Sequence, residues 1–336
     1  MGHREGGSAK DQLEAEDLDM GLSNPKNVEI SDPEVSCFIP QTNIRFAWDA
    51  TTIGYAKRCP RLYYYQDIAC YKPREESVHL RFGQEFHLCM ADFQTMIANN
   101  HTYDDALYFT VRHLMERIDG WHPDHKYKNR KNLLIAVIGY LDKHREDPAK
   151  TVILADGTPA IEQRFYIELD IMPPFGNQPY ALCGYLDRLV EFNGDYFDID
   201  YKTTTYTPGS YYWQQFEPEN QMSCYSFATS VILPEKGKGV IIDSIQVLLE
   251  DPFKFTRGLT YRSQEQNDEW VSDAMYWIRQ AEKWALDNYW PMNDTACDKY
   301  GGCPYREVCA STPGVRDLLL DDSFEKGEEW NPLRRR

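Results

Sequence analysis

The dipeptide Asn193-Gly194, which separates two strand-like segments, constrains the fold of this chain more than any other feature. Asn-Gly favours a two-residue type I′ turn, so we expect the flanking segments to pair as an antiparallel hairpin. The turn sets the register, in which Phe192 faces Asp195. Counting back along both strands places Asp187 opposite Asp200. Directly opposed residues point to the same side of a sheet, with Cβ atoms about 5 Å apart.

The second strand of this hairpin carries charged side chains on one face. Alternation places Phe197, Ile199 and Tyr201 on an apolar face and Asp198, Asp200 and Lys202 on the other. Opposed like charges destabilise a sheet, and a divalent cation bound by both carboxylates would remove that cost. Mg²⁺ or Mn²⁺ beside a lysine suits phosphodiester hydrolysis. One alternative is a solvated hairpin with a weak Asp200–Lys202 ion pair, and a β-bulge would change the register.

Hydrophobic periodicity places helices before and after a group of strands. Helices are predicted at 78–100, 103–118, 133–144, 211–232 and 264–288. Strands are predicted at 151–156, 160–170, 180–192, 195–201, 240–250 and 253–261. Helices on both sides of a short central sheet indicate an α/β layered domain.

Several short motifs resemble those of the PD-(D/E)xK nuclease superfamily, and specifically of its RecB-like branch. GYLDR at 184–188 is followed by DYK at 200–202. FGQEFH precedes them, with His87 on a predicted helix, and QMSCY follows them, with Gln221 and Tyr225 four residues apart. The resemblance implies an α/β fold with a restriction-endonuclease-like core, in which helices flank a short mixed β-sheet and the N-terminal part is helical.

The same resemblance implies how a metal ion would be held. His87, Asp187 and Asp200 would be its side-chain ligands. The main-chain carbonyl of Tyr201 would be a fourth ligand, and the ion would be Mg²⁺ or Mn²⁺. Glu162, on the preceding strand, corresponds to a glutamate that some family members use as a further ligand. Its position suits a surface strand residue equally well.

The resemblance also implies roles for residues around the metal. Lys202 would be catalytic. Gln221 and Tyr225 would hold the DNA or position Lys202. Asp198 shares the charged face of the strand but matches no position of the family pattern. We therefore expect Asp198 to lie behind the metal ligands rather than among them.

The cysteines suggest a second metal centre. Reduced intracellular thiols are more often metal ligands or buried residues than disulfides. A group near the C-terminus and one cysteine near the N-terminus resemble the iron–sulfur staple of AddB-type, CRISPR-associated and related phage exonucleases. The resemblance implies a [4Fe–4S] cluster joining the N- and C-terminal parts. Five residues separate the first pair of the group instead of the family's usual two, and Zn²⁺ is the alternative. The four residues are Cys59, Cys297, Cys303 and Cys309.

Nucleic-acid contacts must come from local patches, because the net charge of -17 argues against a protein that coats nucleic acid nonspecifically. A basic linker and an aromatic segment after the catalytic strand are the candidates. The predicted DNA contacts are Lys126, Lys128, Arg130, Lys131, Tyr206 and Tyr211. The basic run also suits a solvated loop. Tyr212 and Trp213 follow in the same segment, and for Trp213 we favour packing within the protein over base stacking.

We expect three parts along the chain: a disordered acidic leader at 1–36, a RecB-like nuclease domain with an iron–sulfur cluster at 37–316, and a flexible tail at 317–336. No apolar run is long enough to span a bilayer, and the N-terminus lacks the apolar core of a signal peptide. A cytoplasmic protein is therefore expected, without a membrane partner.

Together these features predict a metal-dependent deoxyribonuclease that acts as an exonuclease and prefers single-stranded DNA. Its pathway would be recombination, repair or CRISPR spacer processing. The chain contains no G-x-x-x-x-G-K-[ST] loop, so a helicase, like an integrase, would be a separate chain. The alternative is a DNA-binding or structural subunit that keeps the fold without cutting.

Overall fold

The computed structural model describes residues 36–234, 236–250, 253–298, 301–329 and 331. The predicted acidic leader lies outside these residues, apart from Ser36. Within the described stretches, no helix combines the length and the apolar character that crossing a membrane requires.

A mixed β-sheet forms the centre of the fold. Its strands are β1 (Ala47–Trp48), β3 (Lys150–Thr151), β4 (Ile161–Glu168), β5 (Ala181–Phe192), β6 (Asp195–Thr204), β7 (Gly237–Gln246) and β8 (Lys254–Tyr261). The order is β1-β5-β6-β7-β8, and β3 and β4 also pair with β5. The β1–β5 and β6–β7 pairs are parallel, and the other pairs are antiparallel.

Helices cover both faces of this sheet. They are α1 (Ala50–Arg58), α2 (Pro60–Tyr63), α3 (Val78–Ala98), α4 (Tyr103–Arg117), α5 (Arg130–Lys143), α6 (Ser210–Gln214), α7 (Asn220–Ile232), α8 (Gln264–Leu286), α9 (Arg306–Ala310) and α10 (Arg316–Ser323). The first long helices, α3 to α5, pack on the face that carries Ile199 and Tyr201. On the other face, α7 packs against Val240 and Ile242. The predicted α/β class, with a mixed sheet between helices, is confirmed and agrees with a restriction-endonuclease-like core.

The hairpin between β5 and β6 has the predicted turn and register. Both turn residues have positive φ, 54° at Asn193 and 87° at Gly194, as a type I′ turn requires. The pairs run from Phe192–Asp195 to Leu189–Asp198. The paired ladder ends there, two residues before the predicted opposition of Asp187 and Asp200.

The predicted helix at 211–232 is wrong, because the chain forms α6 and α7 with a break between them. Pro218 lies in the break, and a proline disfavours helical backbone at the residue before it. Helix α7 then begins anew after Glu219, whose side chain accepts the Met222 N–H. The predicted strand at 151–156 is also shorter than expected, since β3 ends at Thr151 and an isolated bridge joins Ile153 to Pro159.

Helix α5 begins at Arg130, three residues before its predicted start. The Asn129 side chain caps it by accepting the Asn132 N–H at 3.0 Å. Arg130 and Lys131 therefore belong to the first turn of a helix and not to a basic linker.

The flexible tail predicted at 317–336 is wrong for the residues that the structure describes there. Helix α10 buries Leu320, and the strand β9 (Phe324–Lys326) pairs with β2 (Tyr71–Pro73). The Phe324 ring stacks on Tyr305 with centroids 4.8 Å apart. The many acidic residues of this segment led to the prediction of a flexible tail. Leu320 and Phe324, which are four residues apart, nevertheless pack against the rest of the protein.

Trp213 packs within the protein, as favoured from the sequence. Its indole ring lies over Gly258 of β8, where an added Cβ would stand 2.5 Å from Cζ3 and 2.6 Å from Cε3. The ring also contacts Phe216, with centroids 6.2 Å apart. The indole is thus part of the packing between the α6 segment and the sheet.

Gly258→Ala is expected to lower the free energy of unfolding by about 1–3 kcal/mol, because its Cβ would overlap the Trp213 ring. Urea unfolding measures the change. The matched control is Gly209→Ala, since no atom lies within 4 Å of a Cβ added at Gly209. Equal stability of the two variants would contradict the packing of Trp213 on β8.

Candidate active site

A chain of side-chain hydrogen bonds joins the charged face of β6 to helix α7. Lys202 Nζ lies 2.9 Å from Asp200 Oδ1 and 2.8 Å from Oδ2. The same ammonium donates to Gln221 Oε1 at 2.8 Å, and Gln221 Nε2 donates to the Tyr225 hydroxyl at 3.0 Å. The i, i+4 spacing on α7 therefore places both side chains on the face directed at Lys202.

His87 reaches the end of the hairpin ladder from helix α3. Its Nδ1 lies 2.8 Å from Asp187 Oδ2, and its Nε2 lies 2.7 Å from the Tyr201 carbonyl oxygen. Both partners are acceptors, so the ring donates from both nitrogens as an imidazolium. Burial opposes this charge, but the Asp187 carboxylate outweighs it and raises the pKa of His87 to about 9.

Three carboxyl groups meet where the strands β5 and β6 cease to pair. Asp198 and Asp200 are 0% and 1% exposed. Burial raises the pKa of Asp198 well above its usual range, and the carboxylates of Asp187 and Asp200 raise it further. For Asp200, burial and Asp187 raise the pKa despite the nearby ammonium of Lys202. Asp187 differs, because His87 overcomes the effect of burial and holds the pKa of this carboxyl below its ordinary value.

Side-chain carboxyl groups form hydrogen bonds between β5 and β6 at the point where the two backbones cease to pair. Asp198 Oδ1 accepts the Arg188 N–H at 3.3 Å, and Asp187 accepts the Tyr201 N–H. Asp198 therefore helps to set the spacing of the hairpin at the site. Sequence reasoning placed Asp198 on the right face but did not foresee that it is fully buried beside the two other carboxyl groups.

This cluster opens into a cleft of about 1450 Å³ between α3 and the end of the sheet. Asp187, Lys202 and Tyr225 lie in its wall together with His87. Of the three carboxyl groups, Asp187 is the one that lines this cleft.

The comparison with protein families agrees with this geometry. The family model described as the PD-(D/E)XK nuclease superfamily matches residues 48–310. The chain belongs to the PD-(D/E)XK nuclease superfamily. No curated protein matches it. Members of this superfamily are in general metal-dependent nucleases and typically use Mg²⁺ or Mn²⁺. The RecB-like branch and the iron–sulfur centre stay predictions.

The donor atoms of the cluster suit the ions that PD-(D/E)XK nucleases use. Among the described residues, no three His, Cys, Asp or Glu side chains already stand as a metal site, and Asp187 and Asp200 form ion pairs with His87 and Lys202. Oδ2 of Asp187 and Oδ2 of Asp200 are paired with His87 and Lys202, but Asp198 Oδ2 has no hydrogen-bond or ion-pair partner in the part of the chain that the structure describes. Such a buried oxygen is costly, and a hard cation would satisfy it.

Glu162 lies at an irregular position of β4. The β4–β5 register pairs Ile161 with Arg188 and Gln163 with Leu186, and it passes over Glu162 and Asp187. The backbone of Glu162 has φ 49°, which is strained for a side-chain-bearing residue. Glu162 lines the same cleft as Asp187, so it does not occupy the plain surface strand position that its sequence context also allowed.

The predicted DNA contacts fall into different environments. Tyr206 and Tyr211 are 78% and 87% exposed. Lys126 is also exposed, with Nζ 4.8 Å from the centre of the Tyr127 ring. Lys128 differs, because it is buried in the cleft wall. Their roles in DNA binding stay predictions.

The four cysteines of the predicted iron–sulfur centre are free thiols drawn from both ends of the domain. Cys59 is buried in an apolar cluster against which Cys303 and Cys309 pack. Cys297 is adjacent, since its carbonyl accepts the Cys303 N–H at 2.8 Å. Burial raises the pKa of Cys309, and Cys303 and Cys59 act in the same direction. The structure thus brings these side chains into one region, without the geometry of a formed metal site.

Mn²⁺ at about 100 times its Kd is expected to raise the free energy of unfolding by about 2.7 kcal/mol, because the ion would neutralise buried carboxylates in the folded state alone. Thermal melting with Mn²⁺ and with EDTA measures this effect. We expect Asp187→Asn to lose most of the gain. The exposed carboxylate variant Asp104→Asn is the control, and an equal gain in both variants would place the ion elsewhere.

Proposed function

We propose that this protein is a metal-dependent deoxyribonuclease that degrades single-stranded DNA from an end. The observation that carries the proposal is the hydrogen-bonded chain from Asp200 through Lys202 and Gln221 to Tyr225. This series of hydrogen bonds lies beside Asp187 in one cleft, and the protein belongs to a nuclease superfamily. Deoxyribonucleic acid as the substrate and a RecB-like origin are supported by the motifs that the sequence carries.

The carboxylates of Asp187 and Asp200 would hold the metal ion, with the Tyr201 carbonyl beside them. When bound, Mg²⁺ or Mn²⁺ would supply Lewis-acid polarisation of a phosphoryl oxygen. His87, which now bridges Asp187 and the Tyr201 carbonyl, would become a ligand after giving up one ring proton. Glu162 lines the same cleft and would be a further carboxylate ligand of the same ion.

Lys202 would act as a fixed positive charge. Burial would lower its pKa, but Asp200 outweighs burial and raises the pKa above the ordinary value. An ammonium that keeps its proton stabilises the negative charge that develops on the phosphate during attack. Gln221 directs its carbonyl oxygen at Lys202 because its amide nitrogen is engaged by the Tyr225 hydroxyl. Gln221 and Tyr225 are therefore positioning residues in this proposal.

The preference for single strands rests on exposed aromatic rings. Tyr206 and Tyr211 follow β6 directly and leave most of their surface open to solvent. Stacking on a base contributes about 1–3 kcal/mol, and unpaired bases offer their faces freely. Recombination, repair and CRISPR spacer processing all supply such DNA ends, and a helicase or integrase would then act as a separate chain.

Lys202→Ala is expected to lower the rate of cleavage of labelled single-stranded DNA with Mn²⁺ by at least about a hundredfold, because the fixed charge at the phosphate is lost. Exposed Lys254 on β8 provides the control variant Lys254→Ala, which should cleave like the wild type. Gel analysis of a 5′-labelled and a 3′-labelled strand also reports the end at which degradation starts. Equal cleavage by Lys202→Ala and wild type would reject this mechanism, and no cleavage by either would favour a non-cutting DNA-binding subunit.

We further propose that Cys59, Cys297, Cys303 and Cys309 hold a [4Fe–4S] cluster, with Zn²⁺ as the alternative. The support is the approach of thiols from the start and the end of the domain within one apolar cluster. Their thiolates would supply the ligands of either centre. The role would be structural, since the cysteines lie in a different cluster of side chains from Asp187 and Lys202.

Protein purified without oxygen is expected to be coloured and to contain about four iron atoms per chain, as one [4Fe–4S] cluster requires. Cys303→Ala should lose the iron and the visible absorption, because one thiolate ligand is removed. Cys224→Ala, which changes a buried cysteine of the main core, is the control that should keep both. A colourless protein with bound zinc would favour the alternative, and a metal-free folded protein would reject both.

A further inference from the structure

A buried lysine without a carboxylate partner lies in the wall of the catalytic cleft. Lys128 is 4% exposed, and its Nζ donates to Thr203 Oγ1 at 2.9 Å and to the Thr203 carbonyl at 3.2 Å. Its ammonium also lies 5.3 Å from the centre of the Phe82 ring. Among the described residues no carboxylate offsets the burial, which lowers the pKa of Lys128 to about 8.

Two histidines stand beside this lysine. The rings of His79 and His125 meet edge to face, with centroids 5.0 Å apart. His125 Nδ1 accepts the backbone N–H of Lys128 at 2.8 Å. In the neutral ring the proton is therefore on Nε2, which can act as a donor. For His79, burial lowers the pKa, and Lys128 and His125 lower it further. Lys128 and the two imidazole rings are therefore neighbours.

This cluster of basic side chains lies next to the proposed catalytic residues. Thr203, which holds Lys128, follows Lys202 directly in β6. His79 lies two turns before His87 on α3, and His79 and His87 line the same cleft as Lys128. A ligand that spans the cleft would therefore meet both the carboxylate cluster and this group of basic side chains.

We propose that Lys128, His125 and His79 form an anion subsite that holds a phosphate group of the substrate strand. This inference rests on the proposed nuclease function. A buried ammonium without a counter-charge is costly, and a phosphate would supply the missing charge and acceptor oxygens. The phosphate is either the terminal group of a strand or an internal phosphodiester next to the one that is cut.

The first test uses inorganic phosphate in EDTA, so that neither the metal ion nor cleavage is involved. Phosphate is expected to raise the melting temperature of the wild type, and Lys128→Met should bind it about tenfold more weakly because a charge-assisted hydrogen bond is lost. Lys143→Met removes an exposed lysine at the far end of α5 and is expected to behave like the wild type. Equal phosphate binding by Lys128→Met and wild type would overturn the proposal.

The second test distinguishes the two sources of phosphate. Single-stranded oligonucleotides with a 5′-phosphate, a 3′-phosphate or hydroxyl ends are compared by fluorescence anisotropy in EDTA. A loss of affinity in Lys128→Met that is confined to one phosphorylated end supports terminal recognition. A loss of about tenfold for all three supports an internal phosphodiester. No loss for any oligonucleotide would overturn the subsite.

His79→Ala keeps the tests decisive if Lys128→Met fails to fold, because His79 is exposed and its removal leaves the core intact. This variant should weaken phosphate binding severalfold, and unchanged binding would count against the subsite. These outcomes can be told apart from a failure of the nuclease proposal. Phosphate binding without any cleavage would reject the nuclease and keep the anion subsite, whereas cleavage without phosphate binding would do the reverse.

Discussion

The site depends on carboxylates that are forced together where the β5–β6 ladder ends. Their repulsion is relieved by two cations from different elements, the His87 imidazolium on α3 and the Lys202 ammonium on β6. The position of α3 therefore matters for the charge balance as much as the hairpin does. A divalent ion would take over the compensation that these two side chains provide.

A second group of buried charges shows what a purely structural arrangement looks like. Arg257 binds both oxygens of Asp243, at 2.7 and 2.6 Å, and both oxygens of Asp147, at 2.8 and 2.9 Å. The Tyr140 hydroxyl adds a further bond to Asp243. Every carboxylate oxygen there has a hydrogen-bond donor. The carboxyl cluster at the end of the β5–β6 ladder differs, because Asp198 Oδ2 is a buried oxygen without a hydrogen-bond donor among the described residues.

Local signals predicted the hairpin well and long-range packing poorly. Asn193-Gly194 determines the register by itself, which is why the pairs from Phe192–Asp195 to Leu189–Asp198 could be predicted. The i, i+4 spacing on α7 likewise predicted that Gln221 and Tyr225 share a face. The burial of Lys128 could not be predicted, because it depends on Thr203, which lies 75 residues away in the sequence. The packing of Phe324 on Tyr305 could not be predicted either, because acidic neighbours dominate the local composition around Phe324.

The small β2–β9 sheet joins a segment near the start of the domain to a segment near the C-terminus. Strand β2 lies between the helix that follows Cys59 and the start of α3, and β9 holds it in place from the C-terminal side. Four residues separate β2 from α3, so the pairing with β9 fixes the chain close to the start of the helix that carries His87. A segment more than 200 residues further along the chain thus anchors the entry to a helix that supplies a side chain to the site.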